Sequence, residues 1–222
     1  MRVVLLGPSV TSLWGNGHVT SYCALMRELD ARGHDVVFLE RDVPSDAADG
    51  DLADRPFGRT YHYSCIDELP VRFADEVRGA NLVAVGSSLP EGIAIGEWVC
   101  DTACGTTAFY DMDTPATIAG LEHGDCTYLS PALVSRYDLY LSFTGGPTLE
   151  RLARSFGAKR TCALYRVADL VRDRPCRGDP RWILGSLGPD LGELEPQLEA
   201  LLVEHTAACR IDQLELLLAA TA

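Results

Sequence analysis

Short apolar runs alternate along this chain with segments of helical periodicity, and this alternation limits the possible fold more than any other feature. The runs are rich in β-branched residues and end in turn or polar residues, which is typical of strands buried on both faces. They lie at residues 3–6, 35–39, 81–85, 106–110 and 139–143, with a further candidate at 162–165. Alternation of this kind predicts the α/β class, with a parallel sheet covered by helices on both faces.

The segments between the runs carry signals for helices and for one long loop. Residues 19–32 place apolar side chains on one face and end before Gly33, which is typical of a helix C-terminus. Residues 41–59 are acidic, contain proline and glycine and have no apolar period, so they predict a surface loop at the edge of the sheet. Further helices are predicted at 66–78, 90–103 and 147–156.

Beyond residue 170 the composition of the chain changes. Residues 171–181 are charged and contain proline, which predicts a linker. They are followed by a candidate strand at 182–187, a candidate amphipathic helix at about 193–203 and an apolar tail at 211–222. We therefore expect one domain over 1–170, a linker over 171–181 and the start of a second domain over 182–222.

The charge of the chain excludes several classes of partner. Its 222 residues include 19 basic and 32 acidic side chains, a net charge of −13. Such a surface repels phosphate backbones and anionic lipids, and there is no run of Lys and Arg, so we expect no nucleic-acid partner. No apolar run approaches the ~20 residues that span a bilayer, so we expect no membrane span and a cytoplasmic location. The eight cysteines are scattered, which in a reducing compartment predicts small buried apolar side chains rather than disulfides.

Candidate site residues follow from the predicted sheet. In an open parallel sheet, ligands bind at the carboxyl ends of the strands, where loops converge and helix N-termini present unpaired N–H groups. This rule selects the loops that follow the strands; their candidate residues are Gly15, Asn16, Gly17, His18, Glu40, Arg41, Ser87, Asp111, Asp113, Thr144, Gly145 and Gly146. The first loop lacks the G-x-G-x-x-G pattern, which argues against a nicotinamide-dependent enzyme.

His18 has two possible roles. It lies at a predicted helix N-terminus, where the helix dipole favours the neutral imidazole, so it could act as a general base or bind a hydroxyl. Alternatively, His18 and Asn16 only cap the helix. Glu40 ends the second strand and could hold a ribose hydroxyl, although one acidic residue without the glycine pattern is a weak signal.

The loops after the later strands also leave alternatives open. Asp111 and Asp113 could hold a cation or share a proton. Alternatively, Asp113 or Thr114 caps the next helix, with Pro115 at its first position, and the other carboxylate could bind a sugar hydroxyl. Thr144, Gly145 and Gly146 could cradle an anion through backbone N–H groups, or could only form a tight turn before a helix.

Six stretches of the sequence together resemble a known family. They are W-G-N-G-H, A-R-G-H-D-V-V-F-L-E-R-D-V-P, G-E-W-V, Y-D-M-D-T-P, D-C-T-Y-L-S-P and Y-D-L-Y-L-S-F-T-G-G-P-T-L. Over about residues 1–170 the chain resembles the N-terminal domain of bacterial glycosyltransferase-like proteins of GT-B type, related to the spore-maturation CgeB-like group. The resemblance implies a Rossmann-like sheet that forms the first half of a two-domain protein.

The resemblance also implies a function. In GT-B proteins the first domain mostly binds the acceptor and the second binds the nucleotide-sugar donor. For this chain it implies transfer of a sugar to a hydroxyl of a small-molecule or glycan acceptor, with no bound metal or other cofactor. It places residues 15–18, Asp111, Asp113 and 144–146 at the cleft, with His18 or an Asp as the base and Ser87 and Glu40 among the binding residues.

The second half of that architecture is short in this sequence. Residues 182–188 resemble the first strand and glycine loop of a donor domain, and about 34 residues follow them. A complete donor domain takes on the order of 150 residues. Two alternatives follow: a partner chain or a second copy, as in a homodimer, completes the donor site, or the chain is a truncated or non-catalytic domain that binds a sugar or metabolite.

Overall fold

Seven parallel strands form a single sheet in the computed structural model, which describes residues 1–8, 10, 17–42, 57–165 and 206–220. The strands are β1 (Arg2–Gly7), β2 (Asp35–Arg41), β3 (Arg59–Tyr63), β4 (Leu82–Gly86), β5 (Thr106–Asp111), β6 (Leu139–Ser142) and β7 (Thr161–Ala163). Their order is β3-β2-β1-β4-β5-β6-β7, and every neighbouring pair is parallel. The order reverses at β1, so the crevice between β1 and β4 is the topological switch point.

Helices cover both faces of this sheet. They are α1 (Gly17–Ala31), α2 (Glu68–Arg72), α3 (Ala74–Arg78), α4 (Gly92–Thr102), α5 (Thr114–His123), α6 (Pro131–Val134), α7 (Pro147–Phe156) and α8 (Ala207–Ala219). Helices α1 and α8 pack on one face, and the apolar side chains of α2 to α7 pack on the other. The predicted Rossmann-like α/β class is confirmed. None of the helices in the described residues is long and apolar enough to cross a membrane.

Two predicted boundaries differ from the structure. Strand β3 begins at Arg59, where the predicted loop at 41–59 ends, and was not predicted, because only Tyr63 in it is fully buried and the strand lies at the sheet edge. Residues 43–56 of that predicted loop lie outside the described residues. The register of β3 on β2 is supported by an ion pair between Arg59 Nη2 and Asp35 Oδ1 at 2.6 Å. The predicted helix at 66–78 is divided into α2 and α3 at Phe73, whose buried ring packs against Tyr61 at 5.6 Å between centroids.

The expectation that the cysteines are buried is wrong for the described residues. Cys65 and Cys104 are exposed, and the other five described cysteines are only half-buried. The physical reason is competition for the interior, because the central strand positions are filled by larger Val, Leu, Phe and Tyr side chains. Cys176 lies outside the described residues.

The apolar tail forms α8, which packs on α1. Its Ile211, Leu214 and Leu218 are buried in the same cluster as the apolar face of α1. Arg32, just after α1, donates to Asp212 at 2.7 Å and to Glu215 at 3.0 Å. The packing of α8 on α1 therefore combines buried apolar contacts with ion pairs to Arg32. The predicted linker at 171–181, the strand at 182–187 and the helix at 193–203 lie outside the described residues.

Two glycines let α1 approach the end of the sheet. Tyr22 of α1 is 1% exposed and packs its ring over Gly7 and Gly86, the last residues of β1 and β4. A Cβ added at Gly86 would lie 1.8 Å from Tyr22 Oη, and one added at Gly7 would lie 2.7 Å from Phe38 Cζ. Larger residues at these two positions would push α1 away from the switch point.

Gly86→Ala should therefore destabilise the protein by about 1–3 kcal/mol through overpacking. Because Tyr22 Oη has no hydrogen-bond partner in the part of the chain that the structure describes, Tyr22→Phe should leave the free energy of unfolding nearly unchanged. The double variant should recover part of the stability that Gly86→Ala loses, because Tyr22→Phe removes the atom closest to the added Cβ, Tyr22 Oη. Urea unfolding of all three variants measures this coupling, and strict additivity would contradict the packing described here.

Candidate functional site

The carboxyl ends of the parallel strands place the predicted site residues at one edge of the sheet. Strands β1, β4, β5 and β6 end there at Gly7, Gly86, Asp111 and Ser142. Gly17 and His18 begin α1 at the same edge, as the predicted helix N-terminus requires. Their side chains, and residues 11–16 with Gly15 and Asn16, lie outside the described part of the structure.

Asp111 is the last residue of β5, and its carboxylate is turned into the protein. It has 0% exposed surface. Tyr140 Oη donates to its Oδ2 at 2.5 Å, and Thr117 Oγ1 donates to its Oδ1 at 2.8 Å. The backbone N–H of Asp113 also donates to Oδ1, at 3.2 Å. Asp111 thus ties β5 to β6 and to the first turns of α5.

Burial raises the pKa of the Asp111 carboxyl above its usual range, and the hydrogen bonds from Tyr140 and Thr117 offset part of that shift. Burial, followed by the nearby Asp111 charge, also raises the pKa of Tyr140, so its hydroxyl keeps its proton and donates. The folded protein therefore binds the Asp111 proton more tightly than the unfolded chain does. The stability that this proton contributes is complete below the unfolded pKa and is lost as the pH rises through the folded one.

This linkage gives a pH prediction. Asp111→Asn keeps the shape of the side chain but removes its titration. We expect the free energy of unfolding of the wild type, relative to Asp111→Asn, to fall as the pH rises from about 4, the ordinary Asp pKa. Urea unfolding over a pH series measures this difference. A difference that stays flat, or that grows with pH, would show that the folded carboxyl is not harder to ionise.

Asp113, two residues after Asp111, is exposed to solvent. It holds the N-cap position of α5, with Pro115 in the first turn, but its side chain makes no capping hydrogen bond. One of the two carboxylates is therefore buried and the other is exposed. Within the described residues there is no cluster of three or more His, Cys, Asp and Glu side chains that could hold a metal.

Two other predicted binding residues support loops with their side chains. Ser87 is fully buried, and its Oγ accepts a hydrogen bond from the backbone N–H of Met112 at 3.0 Å. Glu40 is 4% exposed, and its Oε2 accepts from the backbone N–H of Val10 at 3.0 Å, which fastens the loop after β1 to the end of β2. Both side chains fix the shape of the edge, and their contact with a ligand stays a prediction.

The loop after β6 matches the predicted strand-to-helix turn. The backbone N–H of Thr144 donates to Ser142 Oγ at 3.0 Å, and that oxygen lies 2.8 Å from Thr114 Oγ1 at the start of α5. A Cβ at Gly145 would lie 2.3 Å from Tyr165 Oη. Gly146 has φ 62° and ψ −137°, a conformation that only glycine adopts readily, and α7 begins at the next residue. The N-termini of α5 and α7 therefore lie at the same edge.

One contact at this edge was not predicted. Arg41 ends β2, and its Nη2 lies 2.8 Å from Glu91 Oε2 just before α4. Glu91 and nearby Ser88 have φ values of 58° and 61°, in the left-handed region that costs side-chain-bearing residues energy and is concentrated at functional sites. The rule for strand ends selects Arg41, but its partner depends on a loop conformation that no sequence pattern shows.

Among the described residues, the edge thus offers backbone N–H groups at two helix N-termini, exposed carboxylates at Asp113 and Glu91, and a largely buried guanidinium at Arg41. Such a set can bind hydroxyl groups and anionic or carbonyl oxygens. Small-molecule sites orient their ligands with a few polar groups of this kind.

The solved structures to which the chain is similar include two glycosyltransferases. One is the lipopolysaccharide outer core galactosyltransferase WaaB in its apo form, with a TM-score of 0.48 and 10% identity over 77% of this chain and 47% of that chain. The other is an alpha-glucosyltransferase in complex with UDP and a 13-mer DNA containing a central A:G mismatch, with a TM-score of 0.47 and 13% identity over 77% of this chain and 42% of that chain. This chain therefore spans less than half the length of either protein. No protein-family model and no curated protein matches its sequence.

Proposed function

We propose that this chain is the acceptor-side half of a GT-B-type glycosyltransferase-like protein, related to the bacterial CgeB-like group. The supporting observation is where the resembling stretches lie. Y-D-M-D-T-P and S-F-T-G-G-P complete β5 and β6 at the carboxyl edge of the sheet, and the last two residues of W-G-N-G-H, Gly17 and His18, begin α1 at the same edge. Stretches distant in sequence meet where an open α/β sheet binds its ligand.

The proposed reaction transfers a sugar from a nucleotide-sugar donor to an acceptor hydroxyl. The acceptor oxygen loses its proton to a base and bonds to the anomeric carbon, and the nucleoside diphosphate leaves with the electron pair of the broken bond. We assign the base to His18 at the N-terminus of α1, where the helix dipole favours the neutral imidazole. No bound metal or other cofactor is part of this scheme, because the donor is a co-substrate.

The geometry changes the role that we assign to Asp111. A carboxylate with no exposed surface, held by Tyr140 and Thr117, does not reach an acceptor at the edge. We therefore propose that Asp111 positions the start of α5, and that the exposed Asp113 binds an acceptor hydroxyl. The backbone of Thr144, Gly145 and Gly146 is proposed to bind acceptor oxygens, and Gly15, Asn16 and Gly17 are proposed to bind the same acceptor.

The donor site is proposed to lie in a second Rossmann-like domain, supplied within the whole protein, by a partner chain or by a second copy in a homodimer. Calorimetric titration with nucleotide sugars and glycan acceptors, alone and with candidate partners, tests this proposal. We expect acceptor binding by this chain and donor binding only when the second domain is present. Absence of heat under all of these conditions would reject the function.

A non-catalytic sugar- or metabolite-binding domain is the second candidate. The observation that favours it is the inward orientation of the Ser87, Glu40 and Asp111 side chains, which leaves few groups at the edge for chemistry. It predicts acceptor binding without transfer in the presence of every donor and partner, so a transfer assay on the same samples separates the two candidates. A cytoplasmic location is part of both proposals.

A further inference from the structure

The ion pair between Arg41 and Glu91 crosses the switch point. Arg41 ends β2, Glu91 lies in the loop after β4, and β1 lies between those two strands in the sheet. The 2.8 Å contact between Arg41 Nη2 and Glu91 Oε2 therefore passes over the end of β1. The Arg41 side chain is 16% exposed, and that of Glu91 is 42% exposed. A largely buried cation is thus paired with a more exposed carboxylate at the carboxyl ends of the strands.

Two polar atoms beside this ion pair are buried without partners. Within the described residues, neither Arg41 Nη1 nor Tyr63 Oη makes a hydrogen bond. Tyr63 pairs with Arg41 in the β2–β3 register, has 0% exposed surface, and holds the guanidinium carbon 5.7 Å from its ring centroid. A buried donor left unpaired costs about 1–3 kcal/mol, more when it is charged. The unpaired guanidinium nitrogen, with an unpaired hydroxyl on the residue that pairs with Arg41, indicates an acceptor that completes it.

The chemistry of these groups restricts the acceptor. A guanidinium presents its N–H groups in a planar fork that fits carboxylate and phosphate oxygens. The hydroxyl of Tyr63, the residue that pairs with Arg41 across β2 and β3, adds a neutral donor. Glu91 already supplies its carboxylate to Nη2, so Nη1 is left for another oxygen.

We propose that Arg41 and Tyr63 form a subsite for a phosphate or carboxylate group of the ligand that occupies the switch-point crevice. This inference rests on the proposed function in one respect, which is that the anion belongs to the sugar acceptor. The acceptor would then be an acidic sugar or a phosphorylated sugar. The subsite itself is a property of the residues around Arg41. In this scheme the ligand anion shares the guanidinium with Glu91.

Calorimetric titration of the full chain at low ionic strength with inorganic phosphate, and separately with acetate, tests the subsite. Tyr63→Phe removes one unpaired hydroxyl and no observed contact, so it should leave the thermal unfolding midpoint unchanged and weaken anion binding about tenfold. Glu91→Gln should strengthen binding, because it removes a competing carboxylate. Arg136→Gln removes a partly exposed arginine paired with Asp101 before β6, and it should have no effect on binding.

The two anions distinguish the two sources of the group. Tighter binding of phosphate indicates a phosphorylated ligand, and tighter binding of acetate indicates a carboxylate. The proposal would be overturned if Tyr63→Phe bound each anion as tightly as the wild type does. It would also be overturned if the wild type bound neither anion. Neither titration contains a nucleotide sugar, so loss of the proposed transferase function would leave this result unaffected.

Discussion

Asp111→Ala should lower the free energy of unfolding by about 2–5 kcal/mol, because it leaves the buried Tyr140 hydroxyl without its acceptor and removes one of the three partners of the Thr117 hydroxyl. Tyr140 Oη and Thr117 Oγ1 both donate to this carboxylate, and the backbone N–H of Asp113 loses a partner as well. The effect concentrates at the start of α5, so the loop after β5 should lose hydrogen-exchange protection more than β1 or β2. Urea unfolding combined with amide exchange measures both quantities.

Asp113→Ala is the matched control for that experiment. Asp113 lies two residues away in the same loop, is exposed, and makes no side-chain capping bond. We expect a change within about 0.5 kcal/mol, as for other exposed positions. Equal losses in the two variants would show that the Asp111 contacts do not hold this loop together.

His18→Ala should reduce sugar transfer by about 10²–10⁴-fold if His18 is the base that deprotonates the acceptor hydroxyl. Binding of the acceptor should change much less, since the loss falls on the proton transfer rather than on the other contacts at the edge. The measurement is single-turnover transfer with the donor half present, alongside acceptor calorimetry.

His123→Ala is the control for the removal of a histidine. His123 is exposed and is the last residue of α5, so it lies at the opposite end of that helix from the predicted site. It should transfer sugar as the wild type does. If His18→Ala also transfers at the wild-type rate, the base must be assigned to another group, and Asp113 would be tested next.

Most of the sheet was predictable because its strands are buried on both faces. Continuous apolar runs such as V-V-F-L in β2 follow directly from that burial, and six of the seven strands were predicted from them. The edge strand β3 was missed because R-T-Y-H-Y is half polar, with its burial concentrated at Tyr63. Its pairing is supported by contacts with β2, which a local pattern does not contain.

The candidate site was predictable in position more than in orientation. The rule for strand ends selected Glu40, Ser87, Asp111 and Thr144, but three of these side chains are buried supports for loops. Side chains alternate between the two faces of a strand, and both faces of this sheet are covered by helices, so a polar residue at a strand end turns inward when a partner is within reach. For Asp111 the partner is Tyr140, a residue 29 positions away on the neighbouring strand.

Arg41 illustrates the opposite case. Its position after Glu40 in F-L-E-R marks it as a strand-end residue, yet its ion pair depends on the left-handed conformation of Glu91. Glycine is the usual residue at such a backbone angle, so a glutamate there gives no signal in the sequence. The unpaired Nη1 and Tyr63 Oη become visible only once β2 and β3 are placed in register.

The central claim is that the carboxyl edge of this sheet binds a sugar acceptor. Backbone amide NMR of the full chain, titrated with mono- and disaccharides, tests it most directly. We predict shifts at the loops after β4, β5 and β6, namely residues 86–88, 112–114 and 144–146. Shifts confined to the opposite edge, at residues 79–81, 103–105 and 136–138, or no shifts at all, would contradict it.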